Sequence, residues 1–285
     1  MLSLLQQWMP VNGAAHGQAL DEMSALVHWL MAILFVGWGI YFVYVLFRFR
    51  AGANPRASYK GATSHVSQYV EVGVAVVEVV ILIFFAIPAW ANWVTPPADG
   101  EALEVRVVAE QFLWSVHYSG PDGVFGRTGL ELITPTNAIG LDRSDPYGVD
   151  DVISTNQLHL PVDRPVTLLT SSKDVIHSFS LQQMRVKQDI VPGIMIPVHF
   201  TPIMVTPEES QYPACAGDKT CWEITCAQLC GLGHFRMRGF YTIHEQADFD
   251  AWMAEQVAAV MPAPAADEAD APADADADAD AEQAE

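Results

Sequence analysis

Four residues in one short stretch, and a fifth upstream, carry the strongest chemical signal in this 285-residue chain. The run Cys226-Ala-Gln-Leu-Cys230-Gly-Leu-Gly-His234-Phe-Arg-Met237 offers two thiolates, an imidazole and a thioether. His177 precedes it by 49 residues, in Asp-Val-Ile-His-Ser-Phe. Thiolate, imidazole and thioether together suit copper, whereas a closed zinc site has no use for methionine. A structural zinc site or a disulfide is the plainer reading of two nearby cysteines. One cysteine suffices for a mononuclear blue-copper centre. Two on one tight loop, flanked by two histidines and a methionine, fit a binuclear centre in which both thiolates bridge two coppers. One histidine then terminates each copper, with Met237 and a backbone carbonyl as weak axial ligands. Sharing one electron over two bridged metals keeps the geometry nearly constant between redox states, which suits electron transfer.

The elements that must position these ligands read as strands. From Glu101 onward, short runs rich in Val, Leu, Thr and aromatics alternate with Gly, Pro and Asp. Candidates include 103–118, Asn-Gln-Leu-His-Leu, Pro-Val-Thr-Leu-Leu-Thr, Val-Ile-His-Ser-Phe and Arg-Met-Arg-Gly-Phe-Tyr-Thr-Ile-His. This predicts an all-β antiparallel sandwich or Greek-key barrel over 96–262. The stretch 119–151 is too rich in Gly, Pro and Asp for continuous sheet and reads as a large irregular surface insertion. Asp248 is a candidate cap for a closing helix that places Phe249, Trp252, Met253 and Val257 at helical spacing.

Two apolar segments precede the strands. Residues 24–47 contain no formal charge and are long enough to cross a hydrocarbon core of about 30 Å, and 72–94, in a helix expected over about 70–94, also spans, although Glu78 interrupts it. Arg48, Arg50, Arg56 and Lys60 occupy the connection between them without an acid, whereas Asp21 and Glu22 precede the first span. The basic loop therefore belongs in the cytoplasm, and the long C-terminal part lies outside: periplasmic in a bacterium with two membranes. The Met-Leu-Ser-Leu-Leu start lacks a basic region, so a cleaved signal peptide is poorly supported.

Composition agrees with this division. Fourteen Lys plus Arg against 34 Asp plus Glu give a formal charge of -20, although 51% of residues are hydrophobic. Without a basic surface to neutralise phosphates, nucleic acid is excluded as a partner. Nine of the acids, from Asp267 to Glu285, fall in a base-free Ala/Pro/Asp tail over 263–285 that has little to bury and is expected to be disordered.

Hairpin, strands and ligand run together resemble cytochrome c oxidase subunit II, and the resemblance extends from the membrane hairpin of 1–95 to the terminal helix. It implies a cupredoxin-like outer domain with a binuclear copper A centre held by His177, Cys226, Cys230, His234 and Met237. Gln228 takes the position whose backbone carbonyl binds copper. The family usually has Glu there, and its carboxylate also binds magnesium at the junction with the catalytic subunit, so that ion is weaker, differently held or absent. Asp174 matches the acid before the first histidine ligand, and Asp189 lies in the K-x-D-x-x-P-G element, followed by Ile194 in place of the usual Arg. Gln111-Phe112-Leu113-Trp114-Ser115 is similar to the family's Q-W-x-W-S, whose first tryptophan passes the electron from cytochrome c. Either Phe112 takes that task here or Trp114 does, and both also read as sheet-core aromatics.

Glu71 matches the glutamate that serves the entrance of a proton path, the alternative being an interfacial acid that snorkels to water. Glu78 stands where the family commonly has proline and is expected to meet a polar group of a neighbouring subunit or to be protonated. Cys215 and Cys221 are expected to pair as a disulfide in an oxidising compartment. His117, His159, His199 and His244 lack metal spacing and read as sheet or surface residues; His16, His28 and His65 are uninformative. The implied partners are cytochrome c or a cytochrome c domain, the haem-copper catalytic subunit I, subunit III and the lipid bilayer of a bacterial inner membrane.

Three rivals are weighed against this reading. A quinol oxidase subunit II should lack the copper ligands. A copper-delivery protein does not explain the Glu71 hairpin, and a nitrous-oxide reductase needs a catalytic domain for which 285 residues leave no room.

Overall fold

The computed structural model describes residues 9–56, 59–60, 64–207 and 221–261. The acidic tail and Cys215 lie outside the described residues. Helix α1 (Gly17–Arg48) and helix α2 (Val66–Val94) have 32 and 29 residues, about 48 and 44 Å long, more than a bilayer core requires. Their apolar side chains face outward, Phe35 being 81% exposed, as they must if lipid is their solvent.

Both helices begin before the expected spans, for local reasons. In α1, Gln18 bonds Glu22 four residues on at 2.9 Å, and Asp21 pairs with Arg185 of the β-domain at 2.8 Å. Polar residues that a hydropathy argument leaves out are thereby satisfied as helix. In α2, the Ser64 hydroxyl accepts from the Val66 N–H and His65 bonds Gln68. Pro88 would clash with the preceding turn of an α-helix and lacks an N–H. The helix absorbs it through a π-turn at Leu82–Ala86, whose wider bonding frees the missing position.

Among the described residues, ten strands form two sheets. The first contains β1 (Leu103–Glu110), β2 (Leu113–Tyr118), β3 (Val152–Thr155), β5 (Val166–Ser172) and β8 (Ile196–Phe200), ordered β3-β2-β1-β5-β8. The second is β4 (Gln157–Pro161), β10 (Arg238–His244), β9 (Trp222–Cys226), β6 (His177–Leu181) and β7 (Val186–Ile190), in that order. Two pairings correct the antiparallel expectation: β1 runs parallel to β5, with Val107 opposite Thr170, and β10 runs parallel to β4, with Tyr241 opposite Leu158. Both are crossovers between strands distant in sequence, which alternation alone does not orient.

Val105, Val107 and Ala109 of β1 point inward with Trp114, Leu158, Leu168, Phe179 and Ile224 to form one core. Each large side chain so buried contributes about 1.5–3 kcal/mol. Helix α3 (Gln246–Val260) closes the domain by burying Phe249 and Val257. Its cap position is Glu245 rather than the expected Asp248, which sits in the first turn, where its charge still favours the helix N-terminus.

A second correction matters for function. The expected continuous strand 103–118 is two strands, β1 and β2, reversed at Gln111-Phe112. The 119–151 insertion is irregular apart from short 3-10 turns at Leu130–Leu132 and Pro146–Gly148, but it is firmly tied down. Buried Asp151 accepts from Gly126 N–H at 2.8 Å and pairs with His117 at 2.6 Å, and Arg143 reaches three backbone carbonyls.

The segment before α1 clips the hairpin to the β-domain. Gly13 N–H donates to the Gln183 carbonyl and Ile203 N–H to the Gly13 carbonyl, both at 2.8 Å, while the His16 ring stacks on Trp93 at the end of α2. A Cβ on Gly13 would lie 2.8 Å from the Met184 methyl, so a larger residue there would make that side chain shift.

Candidate metal centre

Three elements converge on one point. Strand β6 begins with His177, β9 ends with Cys226, and the connection from β9 to β10 carries Cys230, His234 and Met237. Antiparallel pairing of β6 with β9 sets Phe179 opposite Cys226 and so fixes the histidine relative to the loop.

Ligand atoms of His177, Cys226 and Cys230 lie within 4.8 Å of one another. The two sulfurs are 3.8 Å apart; His177 Nδ1 is 3.9 Å from Cys226 Sγ, and His234 Nδ1 is 3.8 Å from Cys230 Sγ. Each cysteine is thus matched with one imidazole through the same ring nitrogen. Met237 Sδ is 3.6 Å from Cys230 Sγ, and the Gln228 carbonyl is 3.2 Å from Cys226 Sγ, so all six expected donors meet. His177, Cys230 and Met237 are buried, whereas the Gln228 side chain is exposed. A thioether buried against a thiolate position is chemistry for copper rather than zinc, so the residues present fit the metal expected from their spacing.

The surroundings tune these donors. Burial opposes ionisation of Cys226, but hydrogen bonding with His177 and with the backbone of Ser178 and Gln228 outweighs it and brings the thiol down to about 6. Cys230 is pushed up to about 11 by burial and then by the charge of Cys226. Two thiolates this close do not ionise together unaided, and a bound cation would remove the conflict.

Behind His177, Asp174 Oδ1 accepts from Nε2 at 2.8 Å and so turns Nδ1 toward the sulfurs. Burial resists charge on Asp174, yet this bond and the N–H groups of Gln111 and Val175 hold its carboxyl below the usual range. Next to it, Lys173 pairs with Glu110 at 2.6 Å and donates to the Ala138 carbonyl at 2.8 Å, which ties the insertion beside the site.

Trp114 is fully buried and meets the His177 ring edge-on at 6.1 Å, with Phe179 at 5.3 Å. Phe112 is half-buried and lies over the ligand loop: a Cβ on Gly233 would fall 2.4 Å from its ring. Sequence reasoning left Gln111 without a role, but its side-chain N–H donates to the Cys230 carbonyl. No local pattern signals a contact between residues 119 apart.

Glu71 and Glu78 are exposed on α2, away from this centre. Cys226 and Cys230 are free thiols and Cys221 is disulfide-bonded; its expected partner, Cys215, lies outside the described residues.

Comparison with known proteins places residues 103–241 in the family described as cytochrome c oxidase subunit II, periplasmic domain. The alternative cytochrome c oxidase subunit 2 of Bradyrhizobium diazoefficiens is 31% identical over 250 residues, spanning 87% of this chain and 83% of that protein. Cytochrome c oxidase subunit 2 of Synechocystis is 38% identical over 112 residues, 39% of this chain and 28% of its own length. The probable cytochrome c oxidase subunit 2 of Rickettsia bellii is 29% identical over 219 residues, 75% of this chain and 70% of that protein.

Proposed function

The chain belongs to the cytochrome c oxidase subunit II family, and on that footing we propose that it is the electron-entry subunit, with a binuclear copper A centre filled from cytochrome c and emptied into haem of the catalytic subunit. As a component of that oxidase it is an inner-membrane protein with its β-domain facing the periplasm. One observation carries the proposal: two thiols 3.8 Å apart, each with its own imidazole nitrogen at 3.8 to 3.9 Å, and two weak donors beside them. Copper held by His177, Cys226, Cys230, His234 and Met237 would supply one-electron transfer with little rearrangement of these ligands.

The chain's own residues prepare that exchange. Asp174 holds the His177 tautomer and raises its basicity as a ligand. Trp114 and Phe179 keep water from the inner side of the site, and Phe112 covers the loop on its outer side. We assign the entry path to Phe112 and Trp114, the first half-buried over the loop and the second against a ligand ring. Leu229, Leu232 and Phe235 are 78%, 97% and 77% exposed on the ligand loop, an apolar rim that supports coverage by the catalytic subunit. Acidic groups of the outer domain would steer a basic cytochrome at low ionic strength.

Glu71 is proposed as the entrance of a proton path, on the helix that starts beside the basic loop. Gln228 serves through its carbonyl; its uncharged amide is a poor ligand for magnesium, a hard cation that favours carboxylates. Subunit III and the bilayer complete the proposed surroundings of the hairpin. Rapid mixing of the purified oxidase with reduced cytochrome c tests the role: absorbance of this subunit's copper should change before that of haem, and haem reduction preceding it would refute electron entry here.

A further inference from the structure

Gln111 makes two contacts in opposite directions. Its main-chain N–H donates to Asp174 Oδ2 at 2.7 Å, while Oδ1 of the same carboxylate holds His177 Nε2 at 2.8 Å. Its side-chain amide N–H donates to the backbone carbonyl of Cys230. One residue at the turn between β1 and β2 therefore joins the histidine of β6 to the cysteine of the β9–β10 connection.

Among the described residues that connection has few other backbone hydrogen bonds to the body of the fold, although Cys230 and Met237 pack into the core. Ala227 N–H reaches the Ser178 carbonyl, but the bonds of His234 and Arg236 run back to Gly231 and Gly233 within the loop itself. Leu229 and Leu232 point outward, 78% and 97% exposed, and add no packing. The amide is closely seated: a Cβ on Gly231, whose φ is +134°, would lie 2.6 Å from Gln111 Nε2.

We propose that Gln111 is a positioning residue of the metal centre, its amide fixing Cys230 and the loop onward to His234 relative to the Asp174–His177 pair. The proposal rests on the copper reading above. A loop held at its middle keeps both sulfurs in place when the charge of the site changes; a loop held only at its ends lets Cys230 drift. Outer hydrogen-bond partners of metal ligands typically govern affinity by about 10–100-fold.

The test uses the oxidase complex purified from membranes, with the rate of copper loss to a copper(I) chelator, the visible and near-infrared spectrum, and the midpoint potential as readouts. Gln111→Met keeps the length and the main-chain N–H but removes the donor. It should release copper about tenfold faster or more, with a shifted spectrum and potential. Gln111→Glu, which sets an acceptor against the Cys230 carbonyl, should be worse. Glu110→Gln breaks the neighbouring Lys173 pair without touching the loop and should match the parent. Parent-like copper loss, spectrum and potential in Gln111→Met would overturn the proposal, as would equal damage from Glu110→Gln, which would mark a general disturbance of the turn. A parent complex without copper in this subunit would overturn the copper reading itself and the proposal with it.

Discussion

Asp174 Oδ1 stands 2.8 Å from His177 Nε2 and leaves the opposite ring nitrogen facing Cys226 Sγ at 3.9 Å. Asp174→Ala removes the acceptor and lets the ring turn, so copper affinity should fall by about 10–100-fold. Asp174→Asn, which keeps an acceptor oxygen without the charge, should fall between parent and alanine variant. Chelator competition on the purified protein gives the order, and equal affinity in all three would remove Asp174 from the site.

Phe112 and Gly233 are predicted to be coupled. A Cβ at 233 meets three ring atoms at 2.4 to 2.6 Å, so Gly233→Ala should cost about 1–3 kcal/mol and reduce copper content. Adding Phe112→Ala opens the space and should restore part of both. Denaturant unfolding of the four variants in one cycle measures the coupling; strict additivity would mean the ring and the glycine act separately.

The Arg185–Asp21 pair holds α1 to the β-domain, with side chains only 10% and 11% exposed. Arg185→Ala strands a shielded carboxylate as well as the Pro10 and Gln182 carbonyls and should cost about 3 kcal/mol. Asp21→Asn combined with Arg185→Met should lose less than Arg185→Ala alone. Thermal unfolding in detergent checks this ranking.

An acid-side instability is expected from the histidine pair on β4 and β10. His159 Nδ1 and His244 Nε2 are 2.8 Å apart, and Trp252 stacks on His159 at 4.1 Å. Burial, then the charge of His244, lowers His159 to about 4, and burial also lowers His244. Both pKa values lie below those of the unfolded chain, so the unfolded state takes up protons first as pH falls. Stability present above about pH 6.5 should decline toward pH 4. His159→Gln should flatten the dependence of the unfolding temperature over that window, and an unchanged slope would assign it to other groups.

The clustering of His177 with Cys226 and Cys230 was legible because metal binding demands particular donors at particular spacings, and Cys226 through Met237 lie on one continuous run. The spans were legible because lipid imposes length and apolarity. The turn at Gln111-Phe112 was hidden: it contains neither Gly, Pro nor Asn, and Phe112 favours strand. Parallel pairing of β1 with β5 depends on chain crossover rather than on side-chain alternation. The extension of α1 back to Gly17 depends on Asp21 finding Arg185, 164 residues away. Gln111's contact with Cys230 is likewise a product of tertiary folding.

Glu71→Gln should slow proton-coupled turnover while leaving reduction of the copper by cytochrome c at the parent rate. Steady-state oxygen uptake beside rapid-mixing reduction separates the two, and unchanged uptake would show Glu71 to be dispensable.

Metal content and electron paramagnetic resonance of the purified chain in its oxidase test the binuclear reading most directly. Two coppers in this subunit, sharing one unpaired electron in a delocalised hyperfine pattern with a near-infrared band, and lost in Cys226→Ser or Cys230→Ser, are the predicted result. A colourless site holding one zinc, or a copper count indifferent to both cysteines, would contradict it.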